Sequence, residues 1–217
     1  MPTEIKFCGL TRAEDAREAV TLGARYVGVI FASGPRRLTA ERAAEVLEGV
    51  PAIVRRVGVF ADASADEILA VAESLGLEAV QLHGETDARL VAALRARFDG
   101  EIWSVLRVRD GRLPESAAAL FSAADAVLLD AHVAGKLGGT GVALPWEQLV
   151  DDLIAIRNGG SGARLVLAGG LKAENVGAAI RLLRPDVVDV SSGVETAPGI
   201  KDHARMRAFR DAVHAST

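Results

Sequence analysis

Short, almost continuously apolar runs alternate along the chain with longer segments whose apolar residues recur at helical spacing, and the alternation repeats about eight times. The runs that predict strands are Ile5 to Gly9, Tyr26 to Phe31, Val54 to Phe60, Ala79 to His83, Ile102 to Arg107, Ala126 to Asp130, Arg164 to Ala168 and Val187 to Ser191. Strands so poor in polar residues are those covered on both faces, as in a parallel sheet wrapped by helices. The intervening segments carry helix signals. Thr11 with Glu14 predicts a capping box and Gly23 a stop, and Ser64 with Glu67 and Gly76 repeats the device. Glu115 to Phe121 has the weakest helical pattern of the set.

Eight strand-helix units with no linker-like break predict an α/β fold of the closed (β/α)8 TIM-barrel type, one catalytic domain over residues 1–217. The competing open, doubly wound sheet would place a glycine fingerprint after its first strand, and Cys8-Gly9-Leu10-Thr11-Arg12 contains none. Composition narrows the class further. Of 217 residues, 50% are hydrophobic and 25% charged, which suits a globular core and not a disordered polymer. A net charge of -4 disfavours nucleic acid as a partner. A single cysteine excludes an internal disulfide. The opening residues lack a secretion signal and no apolar run reaches the ~18 residues of a membrane span, so the expectation is a cytoplasmic protein with no membrane partner. Monomer and homodimer are both compatible with the helix faces.

In such a barrel, chemistry belongs at the C-terminal ends of the strands, and residues two apart on a strand face the same side. Lys6 and Cys8, Gln81 and His83, Leu128 and Asp130, and Asp189 and Ser191 are such pairs, each with its more reactive member nearer the mouth. A thiol, an imidazole, a carboxylate and a hydroxyl are thereby aimed at one opening. A lone cysteine is ordinarily a small buried hydrophobe. At a strand end, near Lys6 and a helix N-terminus, Cys8 instead has two influences that favour thiolate and so a base or nucleophile. Asp130 reads either as a helix cap or as a desolvated proton donor. Lys6 is expected to neutralise Asp189, and His83 to be a hydrogen-bonding residue.

Two glycine-bearing turns, Leu167-Ala168-Gly169-Gly170-Leu171 and Ser191-Ser192-Gly193-Val194, follow the seventh and eighth strands, where backbone N–H groups commonly hold a phosphate. The glycine-rich stretch from Ala131 to Leu144 reads as a lid beside Asp130, or else as a surface excursion, with Pro145 in the first turn of the next helix. Gly34-Pro35-Arg36-Arg37 puts guanidinium groups at the same mouth, where a fork of donors suits a carboxylate.

These motifs together resemble the phosphoribosylanthranilate isomerase family nearly end to end: Lys6-Phe7-Cys8-Gly9-Leu10-Thr11-Arg12, Gln81-Leu82-His83-Gly84, Leu128-Leu129-Asp130, Gly138-Gly139-Thr140-Gly141, Leu167 to Leu171, Asp189 to Glu195, and Pro198-Gly199-Ile200-Lys201-Asp202. The resemblance implies an Amadori rearrangement of N-(5-phosphoribosyl)anthranilate to the corresponding aminoketose in tryptophan biosynthesis. It implies Cys8 as general base, Asp130 as general acid and Arg36 as anchor of the anthranilate carboxylate. Gly170, Ser192 and Gly193 would cradle the phosphate, His83 and Asp189 would line the pocket, and Gly139, Gly169 and Ser191 complete the expected substrate-binding set. The only partner implied is a small phosphorylated substrate. Because the iminium formed on ring opening is itself an electron sink, the resemblance implies no metal or organic cofactor. The sequence departs from the pattern at Gly34, where Ser is more usual, at Phe7 and at Leu144-Pro145-Trp146. Alternative readings are a Schiff-base aldolase using Lys6, a metal-dependent sugar-phosphate epimerase, and a non-catalytic phosphate-binding barrel.

Overall fold

A computed structural model of the chain describes residues 2–84, 88–108, 111–131, 146–160 and 162–216. Eight parallel strands close on themselves in sequence order. They are β1 (Glu4–Phe7), β2 (Tyr26–Ile30), β3 (Arg55–Phe60), β4 (Ala79–Leu82), β5 (Glu101–Val108), β6 (Ala126–Ala131), β7 (Arg164–Leu167) and β8 (Val187–Val190). Around them run α1 (Ala13–Thr21), α2 (Ala40–Leu47), α3 (Ala65–Leu75), α4 (Ala88–Arg95), α5 (Ala117–Ala123), α6 (Trp146–Asn158), α7 (Ala173–Leu183) and α8 (His203–His214). The barrel shuts where Lys6 of β1 registers with Asp189 of β8. Between β8 and α8 lie a 3₁₀ turn, Ser192–Val194, and a small antiparallel hairpin of β9 (Glu195–Ala197) and β10 (Ile200–Lys201).

The alternation of side chains divides the apolar residues into two bodies. One faces outward and meets the helices: Phe7, Val27, Leu129, Leu165 and Val188 pack with Ala16, Ile68, Val176 and Phe209. The other fills the inside of the barrel with Tyr26, Val57, Ala79, Trp103, Val105, Ala126, Leu128, Val166 and Val187. Tyr26 and Trp103 meet edge to face at 4.8 Å.

Below this plug, the first residues of five strands form a ring of charge. Glu101 accepts hydrogen bonds from Trp103 Nε1 at 2.8 Å, from the Tyr26 hydroxyl at 3.3 Å and from Arg55. Arg164 donates to both the Tyr26 oxygen and Glu4, with its guanidinium 5.5 Å from the centroid of the Tyr26 ring. Burial, then the Glu101 carboxylate, push the Tyr26 phenol up to about 12, so it stays a neutral donor.

Five of the eight predicted strands run too long at the C-terminal end, the first by two residues and the second, fourth, seventh and eighth by one, so that Cys8, His83 and Ser191 lie just past β1, β4 and β8; β5 and β6 each run one residue further than predicted. The box at Ser64 and Glu67 forms with both reciprocal bonds, and Gly76 ends α3 in the left-handed conformation, φ 58°. The box expected at Thr11 and Glu14 does not form. The residue preceding α1 is Arg12, and the Thr11 hydroxyl donates to the carbonyl of Gly199 in the distant hairpin instead. A tertiary acceptor has displaced the local one. The predicted lid from Ala131 to Leu144 and Pro145 lies outside the described residues apart from Ala131 at the end of β6. Among the described residues, no helix is long and apolar enough to cross a membrane.

Candidate active site

At the C-terminal ends of the strands the barrel opens into a cavity of about 490 Å³. It is lined by Cys8, Arg36, His83, Asp130, Gly169, Gly170, Asp189, Ser191, Ser192 and Gly193, so every predicted site residue within the described segments reaches one space. Gly139 lies outside the described residues. The period-two rule accounts for the convergence, because an inward residue at a strand end is followed by cavity and not by more core.

On one wall Cys8 is nearly buried, its backbone N–H bound to the Val190 carbonyl at 2.9 Å. Gly28 on the neighbouring strand makes room for it: a Cβ there would stand 2.9 Å from the Cys8 sulfur and 3.3 Å from Lys6 Cε. Beneath the sulfur, Lys6 has no solvent exposure and donates to Asp189 Oδ2 at 2.8 Å and Gln81 Oε1 at 2.9 Å. Desolvation pulls Lys6 down, but Asp189 and Cys8 outweigh it and hold its pKa above the ordinary value, so the amine is a fixed cation. The expected neutralisation of Asp189 by Lys6 is present. The other oxygen of Asp189, Oδ1, is buried and has no hydrogen-bond partner among the described residues. The thiolate that sequence context favoured is opposed in the folded protein: burial first, and Asp189 second, push the Cys8 thiol up, with Lys6 and Lys201 pulling the other way.

On the opposite wall Asp130 ends the apolar run of β6 and is 7% exposed. His83 Nε2 approaches its Oδ2 at 3.6 Å. The His83 ring is held from its far side by Gln81 Nε2, 3.2 Å from Nδ1, while its backbone carbonyl accepts from Arg107 at 2.9 Å. Burial, then Arg107 and Lys6, lower the His83 pKa to about 4, so a neutral imidazole faces Asp130 at neutral pH.

The two glycine-bearing turns meet across the top of β7 and β8. Gly169 and Gly170 both have positive φ, 81° and 63°. Gly193 passes so close that a Cβ would lie 1.9 Å from the Leu171 carbonyl oxygen, which locks the turns into one body. Asn175 of α7 braces the first turn, donating to the Gly170 carbonyl at 2.9 Å. Successive turn N–H groups of this kind make a concavity suited to an anion.

Arg36 comes from the β2–α2 loop, which folds back so that Leu38 N–H reaches the Ile30 carbonyl at 2.8 Å. Its guanidinium is already engaged: Nε and Nη2 clasp the two oxygens of Glu195 at 2.9 and 2.6 Å. Glu195 in turn accepts from Lys201 Nζ at 2.8 Å, and Lys201 also donates to the carbonyls of Cys8, 2.6 Å, and Ser191, 3.2 Å. Glu195, Lys201, Gln81, Arg107 and Asn175 are the site residues that sequence reasoning did not single out as such. For Gln81 and Arg107 the signal was inward parity near a strand end. Glu195 and Lys201 lie inside two motifs of the family resemblance, but neither spacing nor composition gave them a role.

The family profile described as N-(5'phosphoribosyl)anthranilate (PRA) isomerase matches residues 5–212. An N-(5'-phosphoribosyl)anthranilate isomerase of Pseudomonas aeruginosa (strain LESB58) is 41% identical over 212 residues, 97% of this chain and 95% of that protein. The crystal structure of phosphoribosyl anthranilate isomerase from Thermotoga maritima superposes with a TM-score of 0.87 at 34% identity, covering 98% of this chain and 99% of that one. A structure of such an isomerase in complex with reduced 1-(o-carboxyphenylamino)-1-deoxyribulose 5-phosphate gives a TM-score of 0.84 at 34% identity with the same coverage. Sequence and fold agree along nearly the whole length, and the chain belongs to the N-(5'-phosphoribosyl)anthranilate isomerase family.

Proposed function

We propose that this enzyme converts N-(5-phosphoribosyl)anthranilate to 1-(2-carboxyphenylamino)-1-deoxyribulose 5-phosphate in tryptophan biosynthesis, with Asp130 as general acid and Cys8 as general base. The observation that carries the assignment is that both groups line one cavity with glycine turns at one side and Arg36 at another. The Asp130 carboxyl gives its proton to the furanose oxygen, the C1–O bond breaks, and the anilino nitrogen lone pair forms an iminium at C1. The Cys8 thiolate then takes the C2 proton, the C2–H electron pair becomes the C1=C2 double bond, and the C1=N π pair returns to nitrogen, giving an enolamine. Ketonisation, in which C1 gains a proton and the C2 hydroxyl loses one, yields the aminoketose. The turns at Gly170, Ser192 and Gly193 hold the phosphate, and Arg36 receives the carboxylate. A substrate so charged does not cross membranes unaided, which supports the cytoplasmic expectation.

Resting Cys8 is held largely as thiol by its burial. The Lys6 cation and the iminium of the first step both favour the anionic sulfur at the moment it is needed. The raised thiol pKa fixes the sign of the Cys8 contribution: in Asp130→Asn, where the acid no longer titrates, residual kcat/KM should rise as pH moves from neutral into the alkaline range until the thiol has titrated. A residual rate flat across that range in Asp130→Asn would reject Cys8 as the base. The direct test of function is purified protein with N-(5-phosphoribosyl)anthranilate, following loss of anthranilate-type fluorescence. Turnover with untreated protein is expected, and binding without turnover would favour the non-catalytic barrel. The aldolase reading has little chemical support, since a nucleophilic lysine needs a depressed pKa and Lys6 is held as a cation by Asp189.

A further inference from the structure

Charged groups are rarely taken out of water unless something fixes them there. Arg36, Glu195 and Lys201 form such a buried group, with side-chain exposures of 13%, 4% and 0%. Glu195 clasps two of the three guanidinium nitrogens, and it is itself fixed by the Lys201 ammonium and by the Gly199 N–H at 3.3 Å. Burial pulls Lys201 below its ordinary pKa. The Glu195 carboxylate and two carbonyls nonetheless meet its three N–H bonds, which is how an ammonium is satisfied. Two cations then share one carboxylate, leaving an excess positive charge beside the cavity. Among the described residues no hydrogen bond uses Arg36 Nη1. The stem of Arg36 crosses Gly9, where a Cβ would stand 2.6 Å from Arg36 Cδ. The aim of the guanidinium is therefore tied on one side to the strand end that carries Cys8 and on the other to Glu195.

We infer that Glu195, held by Lys201, is a positioning residue that aims Arg36 at the substrate carboxylate and so sets the preference for an aryl carboxylate over a plain aryl amine. The inference rests on the assignment of Arg36 above. Glu195 touches no reacting atom in this scheme. It occupies one edge of the guanidinium, so that a single remaining edge meets the ligand in a fixed direction. The bound carboxylate completes a balance of two cations and two anions.

The test compares two stable ligands, reduced 1-(o-carboxyphenylamino)-1-deoxyribulose 5-phosphate and its counterpart lacking the ring carboxyl, on the wild type, Glu195→Gln, Arg36→Ala and the double variant. Glu195→Gln should weaken binding of the carboxylated ligand by about tenfold or more and of its counterpart by less than about twofold. In the Arg36→Ala background it should add almost nothing for either ligand, because the two residues act as a unit. Equal weakening for both ligands, or a full additional penalty in the Arg36→Ala background, would overturn the inference. If Glu195→Gln does not accumulate as folded protein, Glu195→Asp carries the same comparison. It keeps the charge but shortens the reach, and selective weakening of the carboxylated ligand is again the expected result. The kinetic counterpart is a rise in KM larger than any fall in kcat. Should wild type fail to turn over phosphoribosylanthranilate, the functional assignment fails. Should it turn over while Glu195→Gln keeps full discrimination between the two ligands, only the role of Glu195 fails.

Discussion

The two ends of this barrel hold comparable numbers of charged side chains and treat them in opposite ways. At the N-terminal end, Glu4, Tyr26, Arg55, Glu101 and Arg164 meet one another until the ring is satisfied from within the protein. At the C-terminal end, among the described residues, Asp189 has a buried oxygen and Arg36 a nitrogen that make no hydrogen bond, and Cys8 and His83 are held away from their charged forms. Buried polar groups left in that condition cost stability. The two ends thus differ in how their polar groups are partnered among the described residues and not in how polar they are.

The largest expected effect comes from the open end. Cys8→Ser and Asp130→Asn should each lower kcat by about 10²–10⁴, the usual worth of a positioned proton-transfer group, while thermal unfolding changes little. Steady-state kinetics and a melting curve on the same samples check both halves. A variant with near-normal turnover would remove its residue from the mechanism.

Acid should expose the cost of the buried imidazole next. The His83 pKa is about 4 in the folded protein against about 6.5 when unfolded, so the unfolded chain binds more protons between those values. Stability should therefore be complete above about pH 6.5 and decline as pH falls towards 4, by an amount of order 3 kcal/mol attributable to this residue. Urea unfolding across that window, wild type against His83→Gln, isolates it: the variant should lose that part of the slope.

Arg36→Ala should raise KM by about 10–100-fold with a smaller change in kcat, because in the proposed role a carboxylate anchor remote from the reacting carbons acts equally in ground and transition states. A fall in kcat at unchanged KM would contradict that division. The smallest effect belongs to the closed end. Arg164→Met removes donors from Tyr26 and Glu4 and should cost about 1–2 kcal/mol of stability, with kcat and KM unchanged. If that variant altered turnover instead, the two ends would not be independent.

Much of this arrangement is legible in the chain because it follows from local periodicity. The eight apolar runs are the eight strands, and the parity that paired Lys6 with Cys8 and Leu128 with Asp130 is the parity that divides interior from exterior. Ser64 and Glu67 cap α3 because their partners are three residues apart. What stayed hidden depends on contacts that close over long stretches of chain. Thr11 abandoned its box for Gly199, 188 residues away, and Arg36 finds Glu195 across 159 residues. Glu195 and Lys201 lie in a hairpin after the last strand, where neither spacing nor composition sets them apart from solvated charges. The protonation of Cys8 was hidden for a related reason: its sequence neighbours favour thiolate, and the burial that opposes them is a property of the assembled barrel.

The room that Gly28 leaves for the sulfur has a bearing on engineering. The berth of Cys8 is shaped by a methyl group that the adjacent strand does not carry, so even alanine at position 28 would shoulder the thiol and the Lys6 stem aside. Libraries intended to retune this enzyme for other amino sugars should leave that codon untouched, since diversity introduced there would be spent on evicting Cys8 and not on reshaping the pocket.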